Sequence, residues 1–130
     1  MSIKNDYLLE MVARFVEALV TALERARLGR SAEAIGDYEG LVGEALDMDA
    51  EVVLELAPPS LVAMMQISAV DDTMAGYTVY ALGRAADLRE EQGDAVAQLR
   101  REQAACVAEA YGLEASYVPP ELEEALASRG

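Results

Sequence analysis

With 130 residues, 53% of them hydrophobic, the chain is long enough for one domain with a sizeable core and too apolar to stay disordered. Ten basic against 24 acidic residues leave a formal net charge of -14. That is the wrong sign for gaining free energy by counterion release, so neither nucleic acid nor an anionic membrane is expected as a partner.

The first helix is predicted to start at Asn5 or Asp6, either of which can cap it, and to run to about Leu28, where Gly29 ends it. Leu8, Val12, Phe15, Leu19, Ala22 and Ala26 recur at spacings of four and three, so they share one face. Leu9, Val16, Val20 and Leu23 are apolar too, which leaves Glu10, Arg14, Glu17, Thr21 and Glu24 as one narrow polar stripe. Glu10 and Arg14 stand at i and i+4, a helix-stabilising spacing. Such a helix is buried on more than one side. Either its own chain covers it, or a second copy meets it through Leu8, Val12, Phe15 and Leu19.

A second helix is expected from Ser31, as N-cap, to Met48, with Ala34, Ile35, Tyr38, Leu41, Val42, Ala45 and Leu46 in helical register. Gly36, Gly40 and Gly43 fall near one side of it, where another backbone can approach. A short helix over 49–56 opens on acidic residues that suit its dipole, and Pro58-Pro59 breaks it. Another short helix runs from Ser60 to Ser68 and carries Met64 and Met65, core fillers by the simplest reading. Asp71 and Asp72 lead a long helix from Thr73 to Gln92 as cap and dipole partners rather than metal ligands.

Gly93-Asp94 combines a left-handed helix stop with an N-cap, and so short a link demands an antiparallel helical hairpin. The returning helix, 94–111, is expected to turn Val96, Leu99, Cys106, Val107, Ala110 and Tyr111 inward, and Gly112 ends it. A last helix follows Pro119 to about Ser128. No segment alternates as a strand does, and none is apolar enough to span a bilayer or serve as a secretory leader. The expected fold is all-α, with six to seven helices. One helical domain over 1–130 would hold a long first helix at 5–28, a hairpin array at 31–112 and a closing helix at 119–128.

The segment from Gly29 to Tyr38 resembles half a tetratricopeptide repeat, in which a glycine turn is followed by an alanine and an aromatic at set spacings. Leu41 takes a position that is usually alanine there, and no strict 34-residue repeat runs through the chain. The opening Ile3-Lys4-Asn5-Asp6-Tyr7, the Leu56-Ala57-Pro58-Pro59-Ser60 break and the Ala86-to-Asp94 hairpin are similar to a family of small helical bacterial proteins without an assigned activity. That resemblance implies a bacterial cytosolic protein and carries no functional residues. The single cysteine, Cys106, excludes an intrachain disulfide and suits the same cytoplasmic setting.

The chain contains no histidine, the commonest general base and metal ligand. Cys106 has no histidine to activate it and lies at a core-like helical position, and Ser31, Ser60 and Ser68 have no recognisable base. No cofactor is expected, and only a carboxylate-only metal site would leave room for an enzyme. The expected function is a non-catalytic scaffold that binds a protein or peptide, with a groove drawn from Tyr38, Met64, Met65, Tyr77 and Tyr80. The alternative is a structural homodimer through the first helix. Between Arg30 and Arg84 stand ten carboxylates and no basic residue, read first as a solvated face and second as a surface for a basic protein.

Overall fold

The computed structural model describes residues 3–129, and the side chains of 6–129. It is all-α, with seven helices among the described residues: α1 (Ile3–Arg27), α2 (Ser31–Leu46), α3 (Ala50–Val53), α4 (Pro58–Ile67), α5 (Asp72–Glu91), α6 (Val96–Ala110) and α7 (Pro120–Arg129).

Left-handed residues after five of the helices explain where they stop. Gly29, Gly93 and Gly112 adopt positive φ, and each is followed by an amide that bonds back five residues: Arg30 to Arg25, Asp94 to Arg89 and Leu113 to Ala108. The same closure ends α2 and α4 with no glycine available. There Asp47 and Ala69, both at φ 55°, take the left-handed position, a conformation that costs an L-residue about 1–2 kcal/mol.

Three helix starts are set by aspartates. Asp49 accepts from the Glu51 amide at 3.0 Å and Asp71 from Met74 at 2.9 Å, while Asp94, one residue ahead of Ala95 in the cap position of α6, accepts from Val96 at 2.9 Å. Two expected caps are corrected. Ser31 is the first helical residue of α2, behind Arg30 in the cap position without a side-chain bond. α1 is already helical at Ile3, so Asn5 and Asp6 lie inside it, with Asp6 in the first turn where the dipole favours a carboxylate.

The helices pack in the order α1, α2, α5, α6, α4, and α7 returns onto α1. The α5–α6 hairpin forms the most extensive interface, as its short link requires. One continuous core runs from Phe15 to Leu122. Small residues let α5 sit at its centre: Ala75, Ala81, Ala85 and Ala86 are all fully buried. Aromatic edges fill the wider gaps, Phe15 against Tyr77 at 5.6 Å and Tyr38 against Tyr80 at 6.5 Å.

Of the three α2 glycines, only Gly43 answers to a close approach. A Cβ there would stand 2.8 Å from the Met48 carbonyl and 2.9 Å from the Ala50 amide, whereas Gly36 and Gly40 face open space.

Candidate functional site

The two residue sets expected to meet partners are largely used inside the chain. Phe15 and Leu19 are 1% and 0% exposed, so they are not available to a second copy; Leu8 and Val12 pack partly on the same core. Tyr38, Met65 and Tyr77 are buried, and only Met64 and Tyr80 reach the half-buried boundary, so no open groove unites the five. Cys106 is half-buried rather than buried. Arg14 bonds to Glu44 of α2 at 2.8 Å instead of pairing along its own helix with Glu10.

The inward face of α6 also differs from expectation. Ala97, Arg100, Gln103, Ala104, Val107 and Ala108 are buried, while Val96 is 37% exposed, Leu99 and Cys106 are half-buried and Ala110 is exposed. Two polar residues, Arg100 and Gln103, can face the core because each meets several hydrogen-bond partners there. Glu39 of α2 accepts from Arg89 Nε and Arg100 Nε at 2.7 Å each and from Arg89 Nη2 at 2.8 Å. Arg89 also donates to Asp94, and Arg100 to the Leu54 carbonyl at 2.9 Å. Gln103 donates to the carbonyls of Leu54 and Leu56. Burial alone would raise the Glu39 carboxyl, but the bonds from Arg89 and Arg100 outweigh it and hold the group below its ordinary value.

This seam changes the meaning of the acidic stretch. Arginines from outside it pair with four of the ten carboxylates: Arg25 and Arg30 with Glu33, Arg25 with Asp37, Arg89 and Arg100 with Glu39, and Arg14 with Glu44. The remaining six, Asp47, Asp49, Glu51, Glu55, Asp71 and Asp72, have no ion pair among the described residues. They run from the end of α2 to the start of α5.

Asp47 and Asp71 border an apolar groove of about 390 Å³ between the first turns of α1, the end of α2 and the α4–α5 turn. Leu8, Met11, Leu46, Val70 and Met74 line it, Tyr7 stands 61% exposed at its edge, and the one described cation at its rim, Arg14, is already paired with Glu44 of the wall. Both left-handed non-glycine residues, Asp47 and Ala69, belong to its wall.

A larger cleft, about 680 Å³, opens between the second half of α1, the end of α5 and α7. Its walls bring together Arg27, Arg84 and Arg129 with Val20, Leu23, Leu88 and Leu126. On the far side of Arg84 lies a third hollow of about 530 Å³ that includes Tyr80, Asp87, Arg101 and Tyr117. The Tyr38 hydroxyl is buried against the Arg84 guanidinium, and neither it nor Arg84 Nε makes a close hydrogen bond. Burial pushes the Tyr38 phenol up against the pull of Arg84, and it takes Tyr80 up to about 12. Tyr77 is also raised, by burial and by the Glu121 carboxylate to which its hydroxyl donates at 2.8 Å.

Asp71 acts as the cap of α5, and among the described residues no three metal-ligating side chains lie together. No described helix is long and apolar enough to cross a membrane. The chain matches no protein-family model, no curated protein and no solved structure.

Proposed function

We propose that this chain is a non-catalytic interaction protein that takes a short, basic, amphipathic helix of a partner protein into the groove between α1, α2 and the α4–α5 turn. The observation that carries the reading is an apolar floor bordered by Asp47 and Asp71, neither of them ion-paired among the described residues. Helices bind such grooves through apolar side chains at i, i+3 and i+4, while charge at the rim selects the partner and speeds the encounter. A second copy is the poorer occupant, because it would bring another net charge of -14 to the same acidic rim. The cytoplasmic setting belongs to this proposal, since the lone cysteine is free.

The test is a titration of the labelled protein with a designed leucine–lysine helical peptide and with its leucine–glutamate counterpart. The basic peptide is expected to bind saturably and to shift the amide resonances of Leu8, Met11 and Val70. Met11→Glu makes the protein more negative but spoils the floor, so it separates groove binding from general attraction. Binding that survives Met11→Glu, or equal binding of the acidic peptide, rules the proposal out. A stable dimer by light scattering that Met11→Glu dissociates would replace the partner with a second copy.

A further inference from the structure

Arg84 stands apart from the other arginines withdrawn from solvent. Its side chain is 35% exposed, against 36% for Arg25, 19% for Arg89 and 8% for Arg100. Arg25 makes two contacts of 2.8 Å to Asp37, and Arg89 and Arg100 each hold Glu39 at 2.7 Å. Arg84 has no anion closer than Asp87, 3.4 Å from its Nη1 and shared with Arg101, and its other polar neighbour is the neutral Tyr38 hydroxyl. A guanidinium taken from water without a close anion is costly, and an arriving anion would offset that cost.

The surroundings of Arg84 say what kind of anion. Arg27 reaches the same cleft with one distant pair, 3.8 Å to Glu24, and Arg129 reaches it with no ion pair among the described residues. Glu24 and Glu91 also line the cleft, and Asp87 stands 3.4 Å from Arg84, so three carboxylates already offset the three guanidinium groups. A single further carboxylate burdens that balance far less than a phosphate dianion. The rest of the wall is aliphatic, and the volume lies within the range of about 300–1,000 Å³ usual for small-molecule sites.

We propose that the cleft between α1, α5 and α7 binds an aliphatic monocarboxylate, with its carboxylate on Arg84 and its tail along Val20, Leu23, Leu88 and Leu126. The site shares no lining residue with the groove between α1 and α2, so either proposal can fail alone.

The test uses the full chain, with decanoate below its micelle concentration as the probe and decanol as the neutral control. Calorimetry and amide shifts are expected to give one saturable decanoate site, with the largest shifts at Val20, Leu88 and Leu126. Decanol and the Arg84→Met variant should each bind at least about tenfold more weakly, as loss of a charge-assisted bond implies. Arg27→Gln/Arg129→Gln alters only exposed side chains, keeps the fold and should weaken decanoate by about threefold, a rim-charge effect. Absence of saturable binding to the wild type overturns the proposal. So does decanol binding as tightly as decanoate, or decanoate affinity unchanged in both arginine variants.

Discussion

Arg100 and Arg84 belong to the two helices of one hairpin, and the chain treats them in opposite ways. Arg100 is more deeply buried, yet its guanidinium meets Glu39, Gln103 and the Leu54 carbonyl at 2.7–3.2 Å. Arg84 is less buried and has one contact at 3.4 Å, with its Nε unsatisfied. A buried charge held by several short bonds fastens segments of the fold together. One left short of partners lowers stability and gains from whatever anion arrives.

The largest test of this contrast is Glu39→Ala, which takes the shared carboxylate from two withdrawn guanidinium groups at once. It is expected to cost about 3–5 kcal/mol, read from urea unfolding. A loss below about 1 kcal/mol would mean that the seam is no stronger than a surface pair. The same seam sets the acid limb of stability. Because the Glu39 carboxyl is held below its ordinary value, its stabilisation is complete above the usual carboxylate pKa of about 4.3 and disappears as pH falls through the lowered folded value. The melting temperature should therefore fall on acidification in the wild type and fall less steeply in Glu39→Ala.

A pair of glycines sharpens the same lesson with a smaller effect. Gly43 and Gly40 are neighbours on α2, one pressed against the Met48 carbonyl and the Ala50 amide, the other facing open space. Gly43→Ala is expected to destabilise by about 1–3 kcal/mol through overpacking, whereas Gly40→Ala should stabilise by up to about 1 kcal/mol through helix propensity. Thermal melts of the two variants should move in opposite directions. The smallest shift belongs to Arg84→Met, expected to lie within about 1 kcal/mol of the wild type and on the stabilising side, since an apolar chain replaces a poorly paired charge. A loss matching that of Glu39→Ala would erase the distinction between the two arginines.

Much of the fold was legible in the residues because its signals are local. Gly29, Gly93 and Gly112 mark helix ends by the conformation they permit, and Asp49, Asp71 and Asp94 mark starts by bonding to amides two or three residues ahead. The face of α6 was not legible, because apolar periodicity assigns Arg100 and Gln103 to solvent. Their partners lie 46 to 61 residues away on other elements, and no local pattern announces them. The alanines Ala97, Ala104 and Ala108 were the one available signal, since small residues at helical spacing permit close packing around a polar pair. The candidate surfaces were harder still. The apolar groove takes only Leu8 from the expected contact residues, and it exists because the end of α2 and the α4–α5 turn meet across the start of α1. The arginine cleft joins positions from Val20 to Arg129 and has no sequence motif at all.

The bonds from Arg100 and Gln103 to the carbonyls of Leu54 and Leu56 also constrain the order in which the molecule can be made. Synthesis proceeds from the N-terminus, so the joint between α3 and α4 leaves the ribosome well before the side chains that close it. A nascent chain ending short of Arg100 has two backbone acceptors at that joint without the side chains that bond them in the folded protein. Arrested chains of increasing length should therefore gain protease resistance at residues 54–56 late and abruptly, once α6 is exposed, rather than as α3 and α4 themselves emerge.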